Sequence, residues 1–222
     1  MPFPSNSPIF VKKQHSMTAV LIPAKRQKRQ TSSELSLRLP GDQSDEAFFQ
    51  LCQLNPELRI ERNSQHEILI MPPTTSETGN RNAKLLVKLG IWNEKHKLGE
   101  PFDSSTGFKL PNGAERSPDL AWIRKDRWDA LTKAERRRFA PIAPDFVLEL
   151  RSEDQNLASL KEKMEEYMAS GCRLGWLVDP QGRKTFVYTE NGDIQTIPFD
   201  VVLTGGEVLE GFELRMADLF ED

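Results

Sequence analysis

The stretch from residue 146 to residue 178 constrains this chain more than any other. Phe146-Val147-Leu148-Glu149-Leu150 has the aliphatic density of a central strand buried on both faces. Leu157, Leu160, Met164, Tyr167 and Met168 then recur at helical spacing as far as Gly171. A second apolar run, 174–178, is closed by the turn signal Asp179-Pro180-Gln181-Gly182, and a further strand is expected over 185–188. Strand, helix, strand in that order predicts an α/β domain with a mixed sheet flanked by helices.

The rest of the sequence can be arranged around that unit. A helix is expected over 45–54, stopped by Pro56, and then a β-hairpin whose strands are 58–61 and 68–71 with Asn63-Ser64-Gln65 between them. Leu85, Leu86, Leu89 and Trp92 mark a long amphipathic helix over 77–97, ahead of Gly99. A strand follows Pro118, and residues 126–139 read as helix, with Thr132 and Glu135 in capping-box spacing. The C-terminal region is β-rich and ends in a short helix over 216–220.

Residues 1–40 combine Pro, Ser and Gln with the basic run Lys25-Arg26-Gln27-Lys28-Arg29 and show no sustained apolar period, so they read as a disordered basic tail. One folded domain is expected over 41–222. The tail holds seven Lys/Arg and one acid, leaving 23 Lys/Arg against 32 acids in the domain. So acidic a domain is unsuited to coating nucleic acid nonspecifically, though a local basic site remains compatible with it. No apolar run reaches membrane-spanning length, and the start lacks a secretory signal's apolar core and cleavage site. Cys52 and Cys172 form neither a C-x-x-C pair nor a disulfide scaffold, and a reducing cytoplasm is the expected setting.

Glu149 is the chemically interesting position, because a carboxylate within an otherwise buried strand requires a partner or a metal. Asp119 opens another apolar strand directly after Pro118. Two carboxylates on neighbouring strands suit Mg²⁺, which takes oxygen ligands, usually one or two carboxylates, and completes its shell with water and phosphate. Asp145 also follows a proline, but four extended residues put it about 13 Å from Glu149, at ~3.3 Å per residue. A cationic partner is expected nearby. Arg151 shares the strand alternation of Glu149 but stays protonated, while Lys161 and Lys163 both flank the apolar stripe of the following helix. Periodicity alone does not choose between the two lysines.

Ser117-Pro118-Asp119-Leu120-Ala121-Trp122, then Pro144-Asp145-Phe146-Val147-Leu148-Glu149-Leu150-Arg151-Ser152, then Lys163 ahead of Tyr167, then Gly175-Trp176-Leu177-Val178-Asp179-Pro180, together resemble the Uma-type restriction endonuclease family of the PD-(D/E)XK nuclease superfamily. The resemblance spans roughly 45–220 and includes Met71-Pro72-Pro73-Thr74 and Ser104-Ser105-Thr106-Gly107-Phe108. It implies a restriction endonuclease-like fold, Mg²⁺ with Mn²⁺ as a substitute, DNA as substrate and a homodimer for double-strand cutting. It also implies Asp119 and Glu149 as metal-binding acids, with the Leu150 carbonyl between them, and Lys163 as the catalytic cation. Arg151 departs from the lysine of the superfamily's strand motif. Glu77 is a further candidate acid, against its simpler role as a helix-start carboxylate.

Each feature also has a plainer account: a turn carboxylate at Asp119, a structural ion pair at Glu149, an exposed pairing with Glu162 or Glu166 at Lys163. Arg136-Arg137-Arg138 reads as a solvated face, and the four tryptophans as core. The histidines lack metal spacing, and no P-loop, G-x-S-x-G or G-x-G-x-x-G is present, so no nucleotide cofactor is expected. The rival to a nuclease is a non-catalytic DNA- or protein-binding module on the same fold.

Overall fold

The computed structural model describes residues 35–38, 41 and 43–220. Strand β1 (Leu35–Leu37) precedes α1 (Asp45–Leu54), whose N-cap Ser44 side chain accepts from the Ala47 N–H. The hairpin follows as β2 (Arg59–Arg62) and β3 (Ile68–Met71), and then α2 (Ser76–His96). Next come β4 (Gly99–Asp103), β5 (Phe108–Lys109), β6 (Glu115–Arg116) and β7 (Leu120–Arg124). Helices α3 (Lys125–Ala130) and α4 (Lys133–Arg136) lead to β8 (Phe146–Leu150), α5 (Leu157–Ala169) and β9 (Leu174–Asp179). The chain closes with β10 (Lys184–Thr189), β11 (Ile194–Pro198), β12 (Val202–Thr204), β13 (Glu213–Arg215) and α6 (Ala217–Phe220).

Two of the expected boundaries change. Residues 35–37, within the stretch read as tail, form β1 and pair antiparallel with β3; the basic run lies outside the described residues. The single helix expected over 126–139 divides in two, because the Thr132–Glu135 capping box starts a new helix after Leu131 takes an extended conformation.

The central sheet runs β11-β10-β9-β8-β7-β4 and is mixed, β8 and β9 being parallel across α5 and every other pair antiparallel. Alternation along β8 sends Phe146, Leu148 and Leu150 into a core with Leu85, Leu89 and Trp92 of α2, and Val147 into a core with Leu160, Met164 and Tyr167 of α5. Glu149 therefore faces α5. At Gly175, on β9 opposite Val147, a Cβ would stand 2.5 Å from Met164 Cε, so the bare backbone lets α5 lie close against the sheet. A second sheet, β1-β3-β2-β6-β5, packs Ile60 and Ile68 against Phe48 of α1 on one face. Among the described residues no helix is long and apolar enough to cross a membrane.

Candidate active site

The antiparallel β7–β8 ladder pairs Leu120 with Leu148, which leaves Asp119 and Glu149 at its open end. Asp119 Oδ2 accepts a hydrogen bond from the Leu150 N–H at 2.9 Å. Since the N–H and C=O of a strand residue share an edge, the Leu150 carbonyl also faces the Asp119 side. Asp119 Oδ1 takes Arg59 Nη1 and Nη2, both at 3.3 Å, and Arg59 Nη2 also donates to the Ser117 carbonyl at 2.7 Å.

On the α5 side, Lys163 Nζ lies 2.8 Å from Glu149 Oε1 and 2.9 Å from Glu61 Oε1. One helical turn on, the Tyr167 hydroxyl donates to the same Glu149 oxygen at 3.1 Å. The second sheet supplies the rest. Arg116 Nη1 reaches Glu61 Oε2 at 3.1 Å, Arg116 Nε reaches Glu166 Oε2 at 2.6 Å, and the Ser117 N–H donates to Glu61 Oε1. A chain of alternating charge thus runs Glu166, Arg116, Glu61, Lys163, Glu149.

The two glutamates that share Lys163 are driven apart. Burial pushes Glu149 up, with the neighbouring Asp119 and Glu61 charges adding to it and Lys163 opposing. For Glu61 burial acts in the same sense, but Lys163, Arg116 and Arg59 outweigh it and hold the carboxyl below its ordinary value. Burial works against the charge of Lys163, yet Glu149 and Glu61 keep its pKa above that of an ordinary lysine. The lysine is accordingly an ammonium at neutral pH.

Of the residues singled out in the sequence, Asp119, Glu149 and Lys163 are brought together. The competing cations are elsewhere. Lys161 Nζ stands 4.1 Å over the Phe186 ring. Arg151, just past the end of β8, turns to Asp179 at 2.9 Å and to the Gln155 carbonyl. Asp145 is fully buried at the far end of β8, taking the Arg124 N–H and an ion pair from Arg127. Glu77 pairs with Arg81 on an exposed turn of α2.

Glu61, Arg59 and Arg116 were not anticipated. A signal was present: Glu61 and Arg62 are consecutive charges in a hairpin strand, so they point to opposite faces, and a sheet with one packed face must bury one of them. Both are in fact buried.

Among the described residues no three His, Cys, Asp or Glu side chains converge as a ready-made metal cage. Mg²⁺ does not require one, because one or two carboxylates suffice when water and phosphate complete its shell. The donor chemistry fits: Asp119, Glu149 and the Leu150 carbonyl are all hard oxygens. The contacts of Glu149 with Lys163 and Tyr167 fall on Oε1, which leaves Oε2 as its second donor.

This architecture is also found in a crystal structure described as a putative nuclease belonging to DUF820 from Anabaena variabilis. The two chains are 19% identical with a TM-score of 0.63, over 74% of this chain and 90% of that one. The likeness defines the class as the restriction endonuclease-like fold. The family model Uma2, described as "Putative restriction endonuclease", matches residues 45–217, and the chain belongs to that family. No curated protein matches the chain.

Proposed function

We propose that this protein is a magnesium-dependent DNA endonuclease in which Asp119 and Glu149 hold the ion, Mn²⁺ being able to replace Mg²⁺, and Lys163 is the cationic partner. The observation that carries the reading is the meeting of two acids from neighbouring strands with a helix-borne ammonium 2.8 Å from one of them. Family membership and fold support it independently. Bound there, the ion supplies Lewis-acid polarisation of a phosphoryl oxygen and a lowered pKa for the attacking water.

The chain's own groups do the rest. Lys163, held protonated, donates hydrogen bonds and offsets the negative charge that develops on the phosphate. It is placed to position the attacking water. Tyr167 fixes the Glu149 carboxylate, and Glu61 holds Lys163 from the other side. Products with 5′-phosphate and 3′-hydroxyl ends, a homodimer for double-strand cutting and action in the cytoplasm complete the reading.

A second reading, a non-catalytic DNA- or protein-binding module, draws on the fact that Glu61, Asp119 and Glu149 each already face a protein cation. Incubation of the purified protein with supercoiled and linear DNA and Mg²⁺ or Mn²⁺, beside Asp119→Ala and Glu149→Ala, separates the two. Cleavage by the wild type and its loss in both variants is expected. Cleavage that survives both substitutions removes this site, and no cleavage under any condition favours the module.

A further inference from the structure

Arg59 differs from the other two cations of the site. Arg116 is buried and the Lys163 side chain is only 12% exposed, each between two carboxylates, whereas the Arg59 side chain is 32% exposed and carries a buried Nε with no hydrogen-bond partner. It holds one carboxylate oxygen, Asp119 Oδ1, through two contacts at 3.3 Å, without the fork-to-fork match of a bidentate pair. The other oxygen of Asp119 is taken by the Leu150 N–H. A divalent cation that engages Asp119 therefore meets Arg59 at the oxygen it needs.

We propose that Arg59 is an exchangeable gate on the cation position, an inference that rests on the metal-site reading above. With no cation bound, its guanidinium neutralises Asp119. When a divalent cation takes Asp119 Oδ1, the guanidinium is released toward solvent, where its planar donors suit a phosphodiester oxygen of the incoming DNA. Arg59 thus opposes cation binding and assists DNA binding, and the second effect depends on the first. A purely structural arginine has no such dependence. Nor do Arg116 and Lys163 fit the part, because each is held by two carboxylates other than Asp119.

The test compares wild type, Arg59→Gln, Arg59→Lys and Asp119→Asn, each checked for folding by thermal melting. Calorimetric titration with Mn²⁺ is expected to show several-fold tighter binding to Arg59→Gln, near wild-type binding to Arg59→Lys and weakened binding to Asp119→Asn. The salt dependence of binding to a plain-sequence duplex is then measured with and without Ca²⁺. With Ca²⁺, Arg59→Gln should lower the slope by about 0.9, the value of one phosphate contact; without divalent cation the slopes should coincide. If Mn²⁺ binds wild type, weakens in Asp119→Asn and is unchanged in Arg59→Gln, the gate is wrong and the metal site stands. A slope loss that is equal with and without Ca²⁺ also overturns the gate. If Mn²⁺ binds wild type and Asp119→Asn alike, or binds neither, the metal-site reading fails and the gate with it.

Discussion

Glu61 and Glu115 lie on adjacent strands of one small sheet, both almost wholly buried, yet the sheet's two faces treat them oppositely. The β2–β6 register sets Arg62 opposite Glu115, so these two share the face toward α1, while Glu61 and Arg116 share the face toward the active site. On the site face three cations, Lys163, Arg116 and Arg59, overcome burial and depress Glu61. On the other face burial prevails and raises Glu115 to about 7, the Arg62 charge opposing it and Asp45 adding to it. The sheet and the residue type are the same. What differs is how many cations the surrounding elements bring, and with it the charge that the carboxylate carries at neutral pH.

The largest effect should come from removing the shared anion of the site face. Glu61→Gln takes one of two carboxylates from both Arg116 and Lys163, which keep Glu166 and Glu149, and urea unfolding should show a loss of about 3 kcal/mol, the lower end of the range for a broken buried pair. Glu115→Gln should lose only about 1 kcal/mol, because Arg62, paired with Glu115 at 2.8 Å, keeps Asp45 at 2.6 Å and the Gln43 carbonyl. Equal losses would erase the contrast.

The pH dependence sharpens the same comparison, because the two shifts have opposite signs. The depressed Glu61 contributes stability that is present above its unfolded value of 4.5 and is lost as pH falls. The raised Glu115 contributes stability that is present below 4.5 and is lost as pH rises through about 7. Thermal melts across that range should show that Glu115→Gln removes part of the loss between 4.5 and 7, the rest coming from Glu149, which burial also raises to about 7. Glu61→Gln should instead flatten the acid limb, and the opposite assignment would mean that the cation count does not set the charge.

Smaller effects are expected where a cation is not shared between buried acids. Lys161→Ala removes a contact with the Phe186 ring and should cost about 0.5–1 kcal/mol in unfolding experiments, with DNA cleavage unchanged. Lys163→Ala should abolish cleavage. Lys109→Ala, which breaks a half-exposed pair with Asp45, should cost less than about 1 kcal/mol.

Much of the fold could be read locally. The helical stripe of 157–168 and the aliphatic run of β8 are periodic patterns, and periodicity reports a helix or strand without reference to anything distant. Glu149 was legible for a related reason, since a lone charge among four apolar neighbours is anomalous wherever the strand goes. Glu61 was not, because Arg59-Ile60-Glu61-Arg62 also describes a solvent-facing hairpin until both its faces are covered. The break between α3 and α4 shows a local signal misjudged in extent: the capping box was recognised, but not that it begins a separate helix.

The sequence by itself determined the mixed α/β class, the place of Asp119 just ahead of a strand, the strand position of Glu149 and the helical position of Lys163, because each follows from spacing and from the cost of burying charge. Spacing left the cation open, the family resemblance pointed to Lys163, and the tertiary structure brings Lys163 to Glu149. Lys161 and Lys163 flank the same stripe, and the choice depends on how α5 is rotated and how closely it lies over the sheet, which is set by packing such as that of Met164 against Gly175. The same holds for Glu61, Arg59 and Arg116, which reach the site because a second sheet is folded against the first. Interactions between side chains as far apart in sequence as Glu61 and Lys163 have no local trace, since their energy exists only once the chain has brought them together.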